Sequence, residues 1–191
     1  MTTSPDPSLH WCRVVMNRET LKFVQSLPCT GIDVFEISGD GWNDQRFGFR
    51  TYRNAYYPEH DICNAPVGSE ICDLVILEQV LEHVRFPDRA LRHSLQMLRP
   101  GGWVLVTTPF LLRFHPQPLD LYRWTADGLK VLLEEAGFQD VVTDSWGNRD
   151  CLFADMTPGP DWTYFDPERH SLANEPQFPI VVWGYARKPI R

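Results

Sequence analysis

Two spacings of apolar residues alternate along the chain. Within "GIDVFEIS", and in "CDLVIL" and "WVLVTTPF", apolar residues run almost without break for strand length. Such runs mark strands covered on both faces. "FRTYRNAYY" reads as a second strand and "PEHDIC" as a short third segment, while "QDVVTDSW" and "PIVVWGYARK" close the series. Between these runs the apolar residues return every three or four positions. "WCRVVMNRETLKFVQSLP" sets Val14, Val15, Leu21, Val24 and Leu27 near helical spacing, with Pro28 as the stop. Leu91, Leu95 and Leu98 predict a helix over Pro87–Leu98 with proline in its first turn, ended by "RPGG". "TADGLKVLLEEAGF" opens on Thr125 as an N-cap and closes on Gly137. "GWNDQRFG" has room for about two helical turns.

Strands alternating with helices predict an α/β domain with a mostly parallel sheet and right-handed crossovers. The last two strands are separated only by the irregular, proline-bearing stretch 148–178, expected to form a loop or cap. The final strand is therefore expected to be antiparallel, tucked into the edge region of the sheet. With 191 residues, the chain suits a single domain, 1–191, with a flexible tail over 1–9.

Hydrophobic residues make up 43% of the chain, enough for a real core, but no apolar run approaches a bilayer span. The opening "MTTSPDPSLH" has neither the basic nor the apolar region of a secretion signal. A net charge of -7, without clustered Lys and Arg, argues against a nucleic-acid surface. Cys12, Cys29, Cys63, Cys72 and Cys151 lie far apart with no CxxC, which fits a reduced, cytoplasmic chain rather than a zinc module. The expected partner is a small molecule, with no membrane and no nucleic acid; oligomeric state, a homodimer included, is left open.

In open α/β sheets, ligands sit beyond the carboxyl ends of the strands. Three such ends carry acids or amides: Glu36 with Ser38 and Gly39 after the first strand, Asp61 after the third segment, and Glu78 with Gln79 after "CDLVIL". Carboxylates accept hydrogen bonds from ribose hydroxyls or amino groups, and glycine lets a ligand approach the backbone. Asp61 and Glu78 are equally what a turn or a helix start would select.

The order "VFEISGDGW", "HDIC", "CDLVILEQVLEHV", "LRPGGWVLVTTPF" and "LLEEAGF", from about Ile32 to Phe138, resembles the class I S-adenosylmethionine (SAM)-dependent methyltransferases. Within that family it looks like the small type-11 group related to ubiquinone-pathway O-methyltransferases. The resemblance implies a Rossmann-like sheet, mostly parallel with an antiparallel last strand and helices on both faces. It implies SAM as cofactor, with Glu36, Ser38, Gly39 and Gly41 around the methionine part, Asp61 and Ile62 at the adenine, and Glu78 and Gln79 near the sulfonium. Ser38, Asp40 and Trp42 stand where the family carries glycines; aspartate tolerates a left-handed backbone better than most residues. The family's ribose-gripping acid has no obvious equivalent in "TYRNAYYPE", where Glu59 is the nearest substitute.

Three further groups bear on chemistry. The small-RNA 2′-O-methyltransferases hold a divalent metal with Glu-x-x-Glu-His and a later His. Here Gln79, Glu82, His83 and His115 would be that set. Gln79 is a poor ligand for a hard cation, so no metal is expected, and Glu82 and His83 orient the cleft by hydrogen bonds. The second group is "RFHPQPLDLYRWT", with His115, Asp120, Tyr122 and Arg123, unless Asp120 and Arg123 only pin the loop. The third is "SWGNRD", where Trp146 and Asn148 join Trp162, Tyr164 and Phe165 either as a roof over the acceptor or, equally, as core of a proline-rich cap. Methyl transfer needs a nucleophile held in line behind the methyl, and a hydroxyl acceptor must lose its proton. His115 is the first candidate base and His83 the second. Asp120 would orient His115 or Arg123, Arg123 would orient an acidic or carbonyl group of the acceptor, and Tyr122, Trp146 and Asn148 would contact it. A sugar or secondary-metabolite hydroxyl is the favoured acceptor. The alternatives are a non-catalytic module serving a partner enzyme and, with less support, a nicotinamide-dependent oxidoreductase.

Overall fold

The computed structural model describes residues 9–157 and 162–190. Six strands form one sheet: β1 (Asp33–Ile37), β2 (Thr51–Ala55), β3 (Cys72–Glu78), β4 (Leu98–Pro109), β5 (Gln139–Trp146) and β6 (Val181–Arg187). Their order is β2-β1-β3-β4-β6-β5. β2, β1, β3 and β4 pair in parallel, and β6 runs antiparallel to both β4 and β5. The last strand in sequence is thus the one reversed strand. It lies between its neighbours, so β5 takes the edge.

Helices α1 (Val14–Ser26), α2 (Pro87–Met97) and α3 (Ala126–Glu135) cover the two faces. The period-two geometry of a strand sorts the apolar runs between them. Val34, Leu74, Ile76 and Leu105 pack with Phe23 and Val24 of α1. Phe35, Ile37, Val75 and Val106 pack with Leu91 of α2 and Leu129 of α3. All five residues of β1 are buried, as expected of a strand with helices on both sides. α3 starts where its sequence predicts: the Thr125 hydroxyl accepts from the Gly128 N–H, and Gly137 takes the left-handed φ of 102° beyond its end.

Three expectations need correction. Residues 57–64, which include "PEHDIC", form turns and not a strand, because the Asp61 carboxylate accepts from the Cys63 backbone N–H and the Asn64 side-chain amide and curls the chain. "GWNDQRFG" yields a single 3-10 turn, Gln45–Phe47, because Asp44 caps Arg46 and the left-handed Gly48 ends the turn at once. The stretch 148–178 contains a helix, α4 (Arg149–Met156), started by Asn148, whose side chain accepts from the Cys151 N–H. Its pattern concealed it, since Asp155 is buried while Phe153 and Met156 are exposed. The tail lies outside the described residues except for Leu9. No helix among those described is long and apolar enough to cross a membrane.

Candidate functional site

A cleft of about 520 Å³ opens at the carboxyl ends of β1, β2 and β3. One wall is made by the strand ends and the turns that follow β2, with Ser38, Tyr56, Asp61, Ile62 and Gln79. The other is made by the turn after β3 and the loop after β4, with His83, Arg85, Phe86, His115 and Leu119.

The turn after β1 shows how the chain does without the missing glycines. Ser38 takes the left-handed backbone at φ 56°, and so does Gln79 after β3 at φ 55°. Two non-glycine residues held in that region at adjacent strand ends store strain of about 1–3 kcal/mol each, a feature that gathers at ligand sites. Asp40, the residue expected to adopt it, does not. Glu36 folds back beneath the turn. Its carboxylate accepts from the Trp42 N–H at 3.1 Å and from the Tyr52 hydroxyl at 2.5 Å. A Cβ on Gly39 would meet its Oε1 at 2.1 Å, so any side chain there would have to displace the Glu36 carboxylate. Burial pushes the Glu36 carboxyl above its ordinary range. Trp42 lies below this turn in the core on the α1 side, and its indole N–H donates to Glu78 Oε2 at 2.9 Å. It does not line the cleft, which stays open.

Of the residues expected around the cofactor, Ser38, Asp61, Ile62 and Gln79 line the cleft, whereas Glu36, Gly39, Gly41 and Glu78 build the turn behind it. The Gln79 amide is turned to the Thr107 hydroxyl at 3.1 Å. Glu59 is absent from the lining; between β2 and Asp61 the wall carries Tyr56, Tyr57 and His60. Arg13, just ahead of α1, also lines it and pairs with Glu78 at 3.5 Å. Nothing in the sequence singled out Arg13, because the contact spans 65 positions.

On the opposite wall three side chains converge. Glu82 is completely buried; its Oε2 accepts from the Thr108 hydroxyl at 3.3 Å, and its Oε1 has no hydrogen-bond partner. That oxygen lies 3.6 Å from His83 Nε2 and 3.9 Å from His115 Nε2. Ligand atoms of the three residues lie within 4.8 Å of one another, the spacing of a cation site. His83 Nδ1 faces the Leu119 carbonyl, which can only accept, so Nδ1 carries a proton, and Nε2 is the ring atom turned toward Glu82. His115 is backed by Asp120, whose Oδ2 accepts from the His115 backbone N–H at 2.9 Å and lies 3.4 Å from its Nδ1. Arg123 grips Asp120 through two nitrogens, and its guanidinium holds the Asp120 carboxyl well below the usual carboxylate range. Arg123 is spent on that pair and on the Tyr122 carbonyl, and it does not line the cleft. Its expected contact with the acceptor is therefore corrected to a loop-pinning role.

The expected roof is corrected as well. Trp146 is 2% exposed and donates to the Leu172 carbonyl, and Asn148 caps α4 and donates to the Ser171 and Ala173 carbonyls. Both are buried beneath α4, Trp146 in one apolar cluster with Cys151 of that helix. Tyr122 is on the rim, its hydroxyl donating to the Arg85 carbonyl at 3.1 Å. Of the expected aromatics, Trp162 lies against His115, their ring centroids 6.2 Å apart.

A family model described as a methyltransferase domain matches residues 10–143. A probable SAM-dependent methyltransferase of Mycolicibacterium smegmatis is 34% identical over 104 residues, 49% of this chain and 40% of that protein. A similarly described protein of Mycobacterium tuberculosis is 32% identical over 97 residues, 45% of this chain and 35% of that one. The chain therefore matches less than half the length of these relatives. Among solved structures, the [4+2]-cyclase SpnF superposes with a TM-score of 0.63 at 19% identity, covering 97% of this chain and 86% of that one. A SAM-dependent methyltransferase from Mesorhizobium loti gives 0.59 at 15% identity, covering 87% and 96%. At such identities the likeness is one of fold.

Proposed function

This chain belongs to the methyltransferase-domain family, and on that premise we propose that it transfers a methyl group from SAM to the hydroxyl of a small-molecule acceptor, a sugar or a secondary metabolite. One observation carries the reading: a cleft left open by Trp42 runs from the strained strand ends at Ser38 and Gln79 to a pair of imidazoles backed by buried carboxylates. SAM supplies, when bound, a methyl group activated by its sulfonium charge. The chain supplies position. Ser38, Asp61, Ile62 and Gln79 hold the cofactor, and the wall of His83 and His115 receives the acceptor. Holding nucleophile and methyl in line within a dry pocket gives most of the rate. His115 takes the acceptor's proton at Nε2, while Asp120, fixed as a carboxylate by Arg123, orients the ring from the Nδ1 side.

Calorimetric titration tests the cofactor half: S-adenosylhomocysteine should bind and NAD should not. Labelled SAM with a panel of sugars and phenols then finds the acceptor, and His115→Ala should remove turnover. Full turnover in that variant excludes His115 as the base. Failure of S-adenosylhomocysteine to bind overturns the reading and favours a non-catalytic module.

A second reading is favoured by the unpartnered Glu82 oxygen. Three lone-pair donors, Glu82 Oε1, His83 Nε2 and His115 Nε2, face one another without a proton between them when both rings are neutral with Nδ1 protonated. They would fit a divalent cation, which would lower the pKa of an acceptor hydroxyl and make an imidazole base unnecessary. Titration of the protein with Co²⁺ should then give visible absorption that Glu82→Gln abolishes. A colourless titration rejects the metal and keeps the base.

A further inference from the structure

The arginines around the cleft have specific occupations. Arg13 pairs with Glu78, Arg123 with Asp120, Arg89 lies over the Phe86 ring at 4.5 Å and Arg113 over Trp162 at 4.1 Å. Arg85 differs. It lines the cleft, it is exposed, and among the described residues its guanidinium meets no carboxylate. Its main chain is nevertheless fixed. The Tyr122 hydroxyl holds its carbonyl, the Leu121 N–H donates to the Glu82 carbonyl at 2.8 Å, and the His83 ring is tied to Leu119. A fixed backbone thus holds, at the cleft wall, a side chain that carries a fork of five donors.

The carboxylates of this wall are turned away. The side chains of Glu82 and Asp120 are 0% and 1% exposed. An acceptor on this wall therefore faces two imidazoles and one guanidinium. Beside them Phe86 and Leu119, 45% and 38% exposed, offer an apolar surface. Ligand sites combine such a surface with a few placed polar groups. The chain as a whole carries -7, a field that repels anions, so an anionic ligand needs a local cation to counter it.

Resting on the methyl-transfer reading, we propose that the acceptor is an anion on an apolar or aromatic body, its carboxylate or phosphate gripped by Arg85 while its hydroxyl meets the imidazoles. Guanidinium binds both oxyanions in the same forked manner.

The test uses the full chain saturated with S-adenosylhomocysteine and three probes: 4-hydroxybenzoate, phenyl phosphate and the neutral 4-hydroxybenzamide. At least one anion should bind about tenfold or more tighter than the amide, the worth of one charged hydrogen bond. Whichever anion binds better separates carboxylate from phosphate, and either result supports the proposal. Arg85→Gln should close the gap with the amide, Arg85→Lys should keep part of it, and S-adenosylhomocysteine affinity should be unchanged in both. The proposal is overturned if the wild type shows no anion preference, if the preference survives Arg85→Gln, or if the anions displace S-adenosylhomocysteine. Should the wild type not bind S-adenosylhomocysteine, the methyl-transfer reading fails. The anion preference of the unliganded protein, with and without Arg85, is then read on its own.

Discussion

Replacing Glu82 by glutamine should make the protein more stable and less active. Oε1 of Glu82 is a fully buried acceptor without a hydrogen-bond partner, while Oε2 is held by the Thr108 hydroxyl. Leaving a buried polar group without a hydrogen bond costs about 1–3 kcal/mol, and more for a charge. Glutamine has the same shape. Its carbonyl oxygen keeps the Thr108 bond, and its amide nitrogen points at His83 Nε2, an acceptor once Nδ1 has donated to Leu119. The 3.6 Å separation closes with a small rotation, which turns an orphan into a donor–acceptor pair. A gain of 1–3 kcal/mol in a domain of this size raises the melting temperature by roughly 2–12 °C. Differential scanning calorimetry of the metal-free wild type and Glu82→Gln measures it, and labelled SAM reports the accompanying loss of methyl transfer. A variant that melts at or below the wild-type temperature refutes the reasoning. It would show that the carboxylate already has its counter-charge, with a proton on His83 between them.

Other perturbations follow from the same geometry. The Arg50 guanidinium, assisted by Thr51 and Arg99, holds the Asp33 carboxyl well below its usual range. That stability is present above the unfolded pKa of about 3.9 and is lost as pH falls toward the folded one. Asp33→Asn should accordingly lose about 1–2 kcal/mol at pH 7, a modest figure because Arg50 is 54% exposed, and show a flatter acid limb in urea midpoints compared at pH 7 and pH 3. Gly147→Ala should cost about 3 kcal/mol or more, since its Cβ would lie 2.0 Å from the Phe178 carbonyl oxygen and 2.6 Å from the Ile180 nitrogen; a near-wild-type melting curve would contradict the packing. Trp42→Phe keeps the ring in the core and loses the N–H bond to Glu78, for about 1 kcal/mol, whereas Trp42→Ala should cost about 3–5 kcal/mol by urea denaturation. Asp120→Asn should lower turnover while S-adenosylhomocysteine affinity holds, because Asp120 contacts His115 and Arg123 and does not line the cleft.

Much of the fold was legible along the chain because its causes are local. A continuous apolar run such as "DLVIL" can be satisfied only between two layers, and Thr125 and Gly137 bracket α3 through bonds made within the helix itself. The reversed last strand was legible for the same reason, since no helix long enough for a parallel crossover separates it from β5. The motif order also marked two of the strand ends, and Ser38 and Gln79 there, with Asp61 and Ile62 from the turns after β2, line the cleft. The sequence therefore determined the layers, most of the elements and the rim on which the cleft opens.

Which side chains face that ligand was decided by tertiary structure. Glu36 and Glu78 stand at strand ends as expected, yet one is consumed beneath Gly39 by Trp42 and Tyr52 and the other by Trp42 and Arg13, contacts made between separate segments of the chain. Trp146 and Asn148 look like a polar and aromatic rim in sequence, but β5 carries them into the core under α4. Glu82 and His115 are 33 positions apart in number and meet only when the loop after β4 folds back on the turn after β3. Periodicity records which face of an element is apolar, because burial acts on each residue singly. It carries no record of the partner a polar group finds, because hydrogen bonds and ion pairs are directional contacts between segments that only the packed fold brings within reach.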